Sequence, residues 1–69
     1  MKIKVNGEVR NLNVNSNNIP LPKALNYLGY KNNKIVVELN NLIVNSAGWK
    51  ETNIKNGDKL EIVSIVGGG

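Results

Sequence analysis

The first five residues alternate strictly, with Met1, Ile3 and Val5 apolar against Lys2 and Lys4, and then meet Asn6-Gly7. A period of two sends successive side chains to opposite faces of a strand, so this segment reads as a strand with one buried face. Asn-Gly supplies the positive backbone angles that a two-residue hairpin turn needs. The chain therefore opens on a β-hairpin. Its return strand is expected from Glu8 to about Val14, with Leu12 and Val14 facing inward. Val9 breaks that alternation, which predicts a bulge or a register irregularity beside it.

After the polar stretch Asn15 to Asn18, Pro20 and Pro22 stand where the first turn of a helix tolerates missing amide hydrogens. Leu21, Ala24, Leu25 and Leu28 follow at i, i+3, i+4 and i+7, the spacing of one helical face, and Gly29 ends the helix as a C-terminal cap. About two turns of helix cannot stand alone in water, so this one must lie on a sheet. Lys34 to Asn40 then reads as a strand, with Ile35, Val37 and Leu39 on one face and Val36 and Glu38 on the other. Asn40-Asn41 is a turn, and Leu42-Ile43-Val44 a short further strand. Asn45 to Gly48 reads as a loop leading to Trp49, whose bulk should plug one end of the core with its indole N–H hydrogen-bonded or reaching water. Glu51 to Ile54 reads as irregular and Asn56-Gly57-Asp58 as a turn. Lys59 to Val66 is the last strand, with Leu60 and Ile62 facing in and Glu61, Val63 and Ile65 facing out. Hairpin, helix and strands in this order place one helix across one face of a mixed sheet, an α+β architecture.

With 69 residues this is one domain whose single core supplies stability on the order of 3 to 5 kcal/mol. The one internal boundary falls where Val66 gives way to glycine, giving a domain over residues 1–66 and a flexible tail over 67–69. The N-terminus lacks the pattern of a signal peptide, and no apolar run approaches the length of a membrane span. A cytoplasmic protein without membrane contact is expected. The formal charge of +4 comes from lysines spread along the chain, and Tyr27, Tyr30 and Trp49 are its aromatics. A nucleic-acid binder would cluster its cations and interleave aromatics, so no nucleic-acid partner is expected. The abundance of asparagine reads as compositional bias.

The chain contains neither histidine nor cysteine. The usual proton shuttle, a thiolate nucleophile and a Cys-based metal site are therefore excluded. Five scattered carboxylates hold hard cations loosely at best, and Ser16, Ser46, Ser64 and Thr52 have no evident base beside them. No autonomous enzyme and no metal site are expected. What remains is the terminus. Gly67-Gly68-Gly69 presents a carboxylate with no side chain beside it, on the backbone of widest conformational choice. Residues 66–69 extend by roughly 13 Å at most, enough to enter a narrow cleft on a partner. A carboxylate is a poor electrophile, and coupling to a nucleotide phosphate would make its carbonyl attackable. Terminal glycines taken alone read more readily as a frayed end or a remnant of cloning than as a reactive end, and it is their pairing with this strand order that shifts the balance.

Several segments together resemble the ThiS family of sulfur carriers of the thiamine pathway: Ile3-Lys4-Val5-Asn6-Gly7-Glu8, Tyr27-Leu28-Gly29, Lys34 to Asn40, Ile43-Val44, Trp49, Asn56 to Val63, and the three glycines. The resemblance covers nearly the whole chain. It implies a ubiquitin-like β-grasp fold. It further implies that Gly69 is adenylated by a ubiquitin-activating-like enzyme using ATP, with no cofactor bound by the carrier itself. Sulfur drawn from a cysteine desulfurase then makes a thiocarboxylate, and thiazole synthase takes that sulfur for the thiazole ring. On this resemblance Gly69 bears the sulfur, and Gly67 and Gly68 give it access. Many members carry Pro-Arg-Ser where this chain has Asn45-Ser46-Ala47, a departure that bears on the choice of partner.

If the helix covers the face bearing Ile3, Val5, Leu39, Leu60 and Ile62, then Val63 and Ile65, with Val36, lie on the other face as a partner-binding patch. Scattered surface valines and isoleucines are also ordinary, so patch and plain surface are both open. A sulfur carrier for molybdopterin or another product shares the fold and tail, and a ubiquitin-like interaction module or modifier is the reading from a different class. Chain length and the triple glycine favour thiamine over molybdopterin.

Overall fold

The computed structural model describes residues 1–31 and 34–65. Strands β1 (Lys2–Val5) and β2 (Glu8–Asn11) form the opening hairpin, and β3 (Asn18–Pro20) runs directly into helix α1 (Leu21–Tyr27). Strands β4 (Ile35–Leu39) and β5 (Leu42–Val44) form a second hairpin. A 3-10 turn over Ser46–Glu51, then β6 (Asn53–Lys55) and β7 (Lys59–Ser64), complete the chain.

Five strands make one mixed sheet in the order β2-β1-β7-β4-β5, in which β1 and β7 are parallel and the other pairs antiparallel. Both hairpins close on two residues with positive φ, Asn6 (50°) with Gly7 (85°) and Asn40 (51°) with Asn41 (74°), the mirror-image turn whose twist matches the strands it joins. Helix α1 lies against the sheet, burying Leu21, Ala24 and Leu25, with Leu28 half-buried. The helix stops at Gly29 (φ 92°), where the amides of Gly29 and Tyr30 donate back to the carbonyls of Asn26 and Leu25. That pairing is the Schellman arrangement, and it satisfies carbonyls the helix would otherwise leave bare. One helix packed across a five-stranded mixed sheet of this order is the ubiquitin-like β-grasp.

The core comprises Ile3, Val5, Leu12, Ile19, Leu21, Ala24, Leu25, Ile35, Val37, Trp49, Ile54, Leu60 and Ile62. Trp49 closes one end of it at 8% exposure, and its indole N–H donates to the Val44 carbonyl at 3.0 Å.

Four expectations are corrected. The β1–β2 register is continuous through Lys4↔Val9, so there is no bulge: Val9 sits on the open face opposite Lys4, and the alternation breaks because an edge strand can leave an apolar side chain exposed. The strand itself stops at Asn11, although Leu12 is buried and Val14 half-buried as expected. Glu51 to Ile54 is not irregular. Ile54 is fully buried in β6, which pairs with β3 through Ile19↔Ile54 in a separate two-stranded sheet. The loop reading of Asn45 to Gly48 gives way to the 3-10 turn, which seats Trp49.

Candidate functional site: strand β7 and the open face of the sheet

Strand β7 is the centre of the sheet, with β1 on one side and β4 on the other. Two turn asparagines fasten it from both sides. The Asn6 amide donates to Leu60 O at 2.9 Å, while its side chain accepts from the Ile62 amide at 2.7 Å and donates to the Ile62 carbonyl at 3.1 Å. Its carboxamide thus imitates one more peptide of β1. Asn40 does the same from the β4 side: its backbone amide donates to Lys59 O at 2.8 Å and its Oδ1 accepts from the Lys59 amide at 3.0 Å. Asn40 Nδ2 also donates to Asp58 Oδ1 at 3.1 Å, and Asp58 Oδ2 accepts from the Lys55 amide at 2.8 Å. Asp58 is buried, and these bonds hold the turn that launches β7. Reading asparagine as compositional bias missed these roles. The signal was available at Asn6 and Asn40, which occupy the positive-φ positions of the two hairpins.

Beyond Ser64 one further backbone bond continues the ladder, from the Ile65 amide to Lys34 O at 2.9 Å. The strand therefore ends at Ser64 rather than running on to Val66, which lies, with Gly67, Gly68 and Gly69, outside the described residues. The chain leaves the sheet at the end where β4 begins, from a strand paired with β4 up to Ser64 and held from the β1 side as far as Ile62.

The face of the sheet away from α1 carries the three residues expected as a patch. Val36 and Val63 are directly opposite each other in the β4–β7 register and are 37% and 62% exposed; Ile65 follows Val63 two residues on and is also exposed. Ile43 of β5 is exposed on the same face opposite Glu38, and Glu38 in turn faces Glu61. The sequence reading passed over Ile43 because a three-residue apolar run shows no alternation from which to choose a face. A polar depression of about 430 Å³, lined by Met1, Val14, Asn15, Ser16, Asn17 and Asn56, lies toward the opposite end of the sheet from Ser64. None of the described helices is long and apolar enough to cross a membrane.

The sequence model of the ThiS family matches residues 3–69. The chain belongs to the ThiS family. Members of the ThiS family are small sulfur-carrier proteins of thiamine biosynthesis. The crystal structure of the thiamine biosynthesis protein ThiS from Geobacter metallireducens superposes with a TM-score of 0.84 at 26% identity, covering both chains completely. Among sequences, the ycf40 protein of Pyropia yezoensis is 38% identical over 69 residues, which is all of this chain and 93% of that one. The ycf40 protein of Trieres chinensis is 46% identical over 54 residues, 78% of this chain and 74% of its own. A thiazole synthase of Paramagnetospirillum magneticum is 39% identical over all 69 residues, which make up 20% of that protein. The ThiS match runs through the three terminal glycines, so β7 and the glycines fall within one matched stretch of chain.

Proposed function

We propose that this chain carries sulfur as a thiocarboxylate on Gly69 for formation of the thiazole of thiamine. The observation that carries the reading is the position of β7: a central strand, paired with β4 along its length and held by β1 and Asn6 as far as Ile62, ends at Ser64, two residues before Val66 and the glycines that follow it. A partner that grips the sheet thereby grips the base of the tail. In the first step the Gly69 carboxylate attacks the α-phosphorus of ATP in an adenylating enzyme, releasing pyrophosphate and leaving an acyl adenylate. A persulfide from a cysteine desulfurase system then adds to the carbonyl and AMP departs, leaving an acyl disulfide. A second thiol on the partner attacks its outer sulfur, taking up the disulfide and releasing the thiocarboxylate, so that sulfur stands where one carboxylate oxygen stood. Activation is required because the free carboxylate is a poor electrophile, and glycine leaves the approach to the carbonyl clear. Gly67 and Gly68 thread the cleft, Val63, Ile65 and Val36 contact the partner, and the carrier contributes no catalytic side chain and binds no cofactor of its own.

Thiazole synthase as the acceptor is supported by the Paramagnetospirillum protein of that name, in which a stretch like this chain occupies a fifth of the polypeptide. The test is intact mass spectrometry after incubation with ATP, an adenylating enzyme and a desulfurase. Replacement of one terminal oxygen by sulfur is expected, and a chain lacking Gly68 and Gly69 should gain none. Equal sulfur uptake by the truncated chain would refute the reading.

A further inference from the structure

Val9 is 60% exposed on β2, an outermost strand of the five-stranded sheet, and nothing in the carrier reading uses it. All of β2 is exposed. The backbone bonds show which of its residues are free to pair again. Met1 and Leu12 exchange both bonds, from the Met1 amine to Leu12 O at 2.9 Å and from the Leu12 amide to Met1 O at 2.7 Å. Opposed residues of an antiparallel pair alternate between bonded and unbonded. Along this register Ile3–Arg10 and Val5–Glu8 are therefore bonded, and Lys2–Asn11 and Lys4–Val9 are not. The amides and carbonyls of Val9 and Asn11 point away from β1, and among the described residues no group bonds to them. Such an edge accepts one more strand.

The side chains select which strand that is. Glu8 and Arg10 lie opposite the core residues Val5 and Ile3, so both project on the helix side of the sheet, about 7 Å apart. Both are exposed, and neither forms an ion pair among the described residues. Val9, between them, projects on the open face. The run Glu8-Val9-Arg10 is thus its own complement when reversed. A second copy running antiparallel can bring the outward backbone groups together in three registers: Val9 on Val9, Val9 on Asn11, or Asn11 on Asn11. The first sets Glu8 of each copy opposite Arg10 of the other. The second sets Arg10 opposite Arg10, and like charges directly opposed in a sheet are destabilising. The third must pair residues beyond Asn11, where β2 has ended.

We infer that two copies of this chain pair edge to edge through β2, about a two-fold axis at Val9, and join their five-stranded sheets into one. The two Val9 residues exchange N–H···O bonds in both directions, the Glu8–Arg10 pairs close the helix side, and the valines pack together on the open face. The contact is isologous and so closes at two copies. A strand this short buries far less than the roughly 1,200 Å² of a stable interface, so the dimer forms only at high concentration. The axis stands perpendicular to the sheet, which sends the two β7 strands in opposite directions and their tails out at opposite ends. Within each copy β1 separates β2 from β7, and the pairing uses no residue assigned to the carrier chemistry.

Sedimentation equilibrium of the full chain, from micromolar to millimolar and at low and high salt, compares wild type with Glu8→Arg, with Arg10→Glu and with an equimolar mixture of the two. Circular dichroism checks that each variant is folded. Wild type should pass from monomer toward dimer as concentration rises, and less so at high salt. Either variant alone turns both cross-strand pairs into like charges and should weaken self-association about tenfold. In the mixture each cationic edge meets an anionic one, so mixed dimers should form at least as readily as those of wild type. A wild type that stays monomeric throughout would overturn the inference and leave the edge to a strand of another protein. Variants that associate like wild type, or a mixture that associates no better than its components, would overturn it as well. None of these results bears on the sulfur chemistry, which the terminal mass measurement tests separately.

Discussion

Replacing Asn6 tests whether the hairpin turn also fastens the strand that carries the tail. Asn6 does two separable jobs: it holds φ at 50°, and its carboxamide makes two hydrogen bonds to the Ile62 backbone. Asn6→Gly keeps the turn and loses only the clamp. At a net 0.5 to 1.5 kcal/mol per bond, it should cost roughly 1 to 3 kcal/mol. Asn6→Ala loses the clamp and also places a Cβ in the left-handed region, adding about 1 to 2 kcal/mol. Against a total on the order of 3 to 5 kcal/mol, the alanine variant should be partly unfolded at room temperature. For a domain of this size the glycine variant should melt roughly 4 to 8 °C lower for each kcal/mol lost. Urea unfolding followed by Trp49 fluorescence measures both, since the single tryptophan is buried in the native state and exposed on unfolding. If Asn6→Gly unfolds within about 0.5 kcal/mol of wild type, the clamp carries no energy and the argument that it secures β7 fails.

Ile54→Ala opens a cavity at a fully buried position joining β6 to the helix side of the core, and a loss of about 2 to 5 kcal/mol should leave little folded protein; circular dichroism at 25 °C checks this, and a native-like spectrum with unchanged melting would contradict it. Gly29→Ala meets no atom within 4 Å at its new Cβ, so its cost should be the backbone strain of φ 92° alone, about 1 kcal/mol by denaturant titration. Val63→Asp, at a position 62% exposed, should leave the melting temperature within a few degrees of wild type while abolishing measurable binding to the adenylating enzyme. Normal binding by that variant would remove Val63 from the docking surface.

Period-two alternation in β1 and β4 and the i, i+3, i+4, i+7 spacing in α1 assigned faces correctly, because those segments bury one side and wet the other. Alternation fails where that condition fails. In β2 an edge position leaves Val9 exposed, and in β3 and β6 three residues with a single buried centre are too short to show a period. The candidate site divides the same way. Val63, Ile65 and Val36 were legible as outward residues from strand parity, and the three glycines from composition. Ile43 was not, because a three-residue apolar run shows no face, and Asn6 and Asn40 were legible only as turn residues, since their hold on β7 depends on which strands become neighbours.

The sequence by itself determined the class of this protein: a small α+β domain, built from local patterns of apolar spacing and turn residues, with no histidine or cysteine to do chemistry and a glycine end left as the reactive candidate. Tertiary structure alone decided that β7 is central, that Asn6 and Asn40 fasten it from opposite sides, and that Lys59, Glu61 and Val63 each acquire a like neighbour across the sheet. The reason is range. Periodicity reports what lies within a few residues, whereas Asn6 and Ile62 are 56 positions apart, and only pairing β1 parallel to β7 brings them into contact.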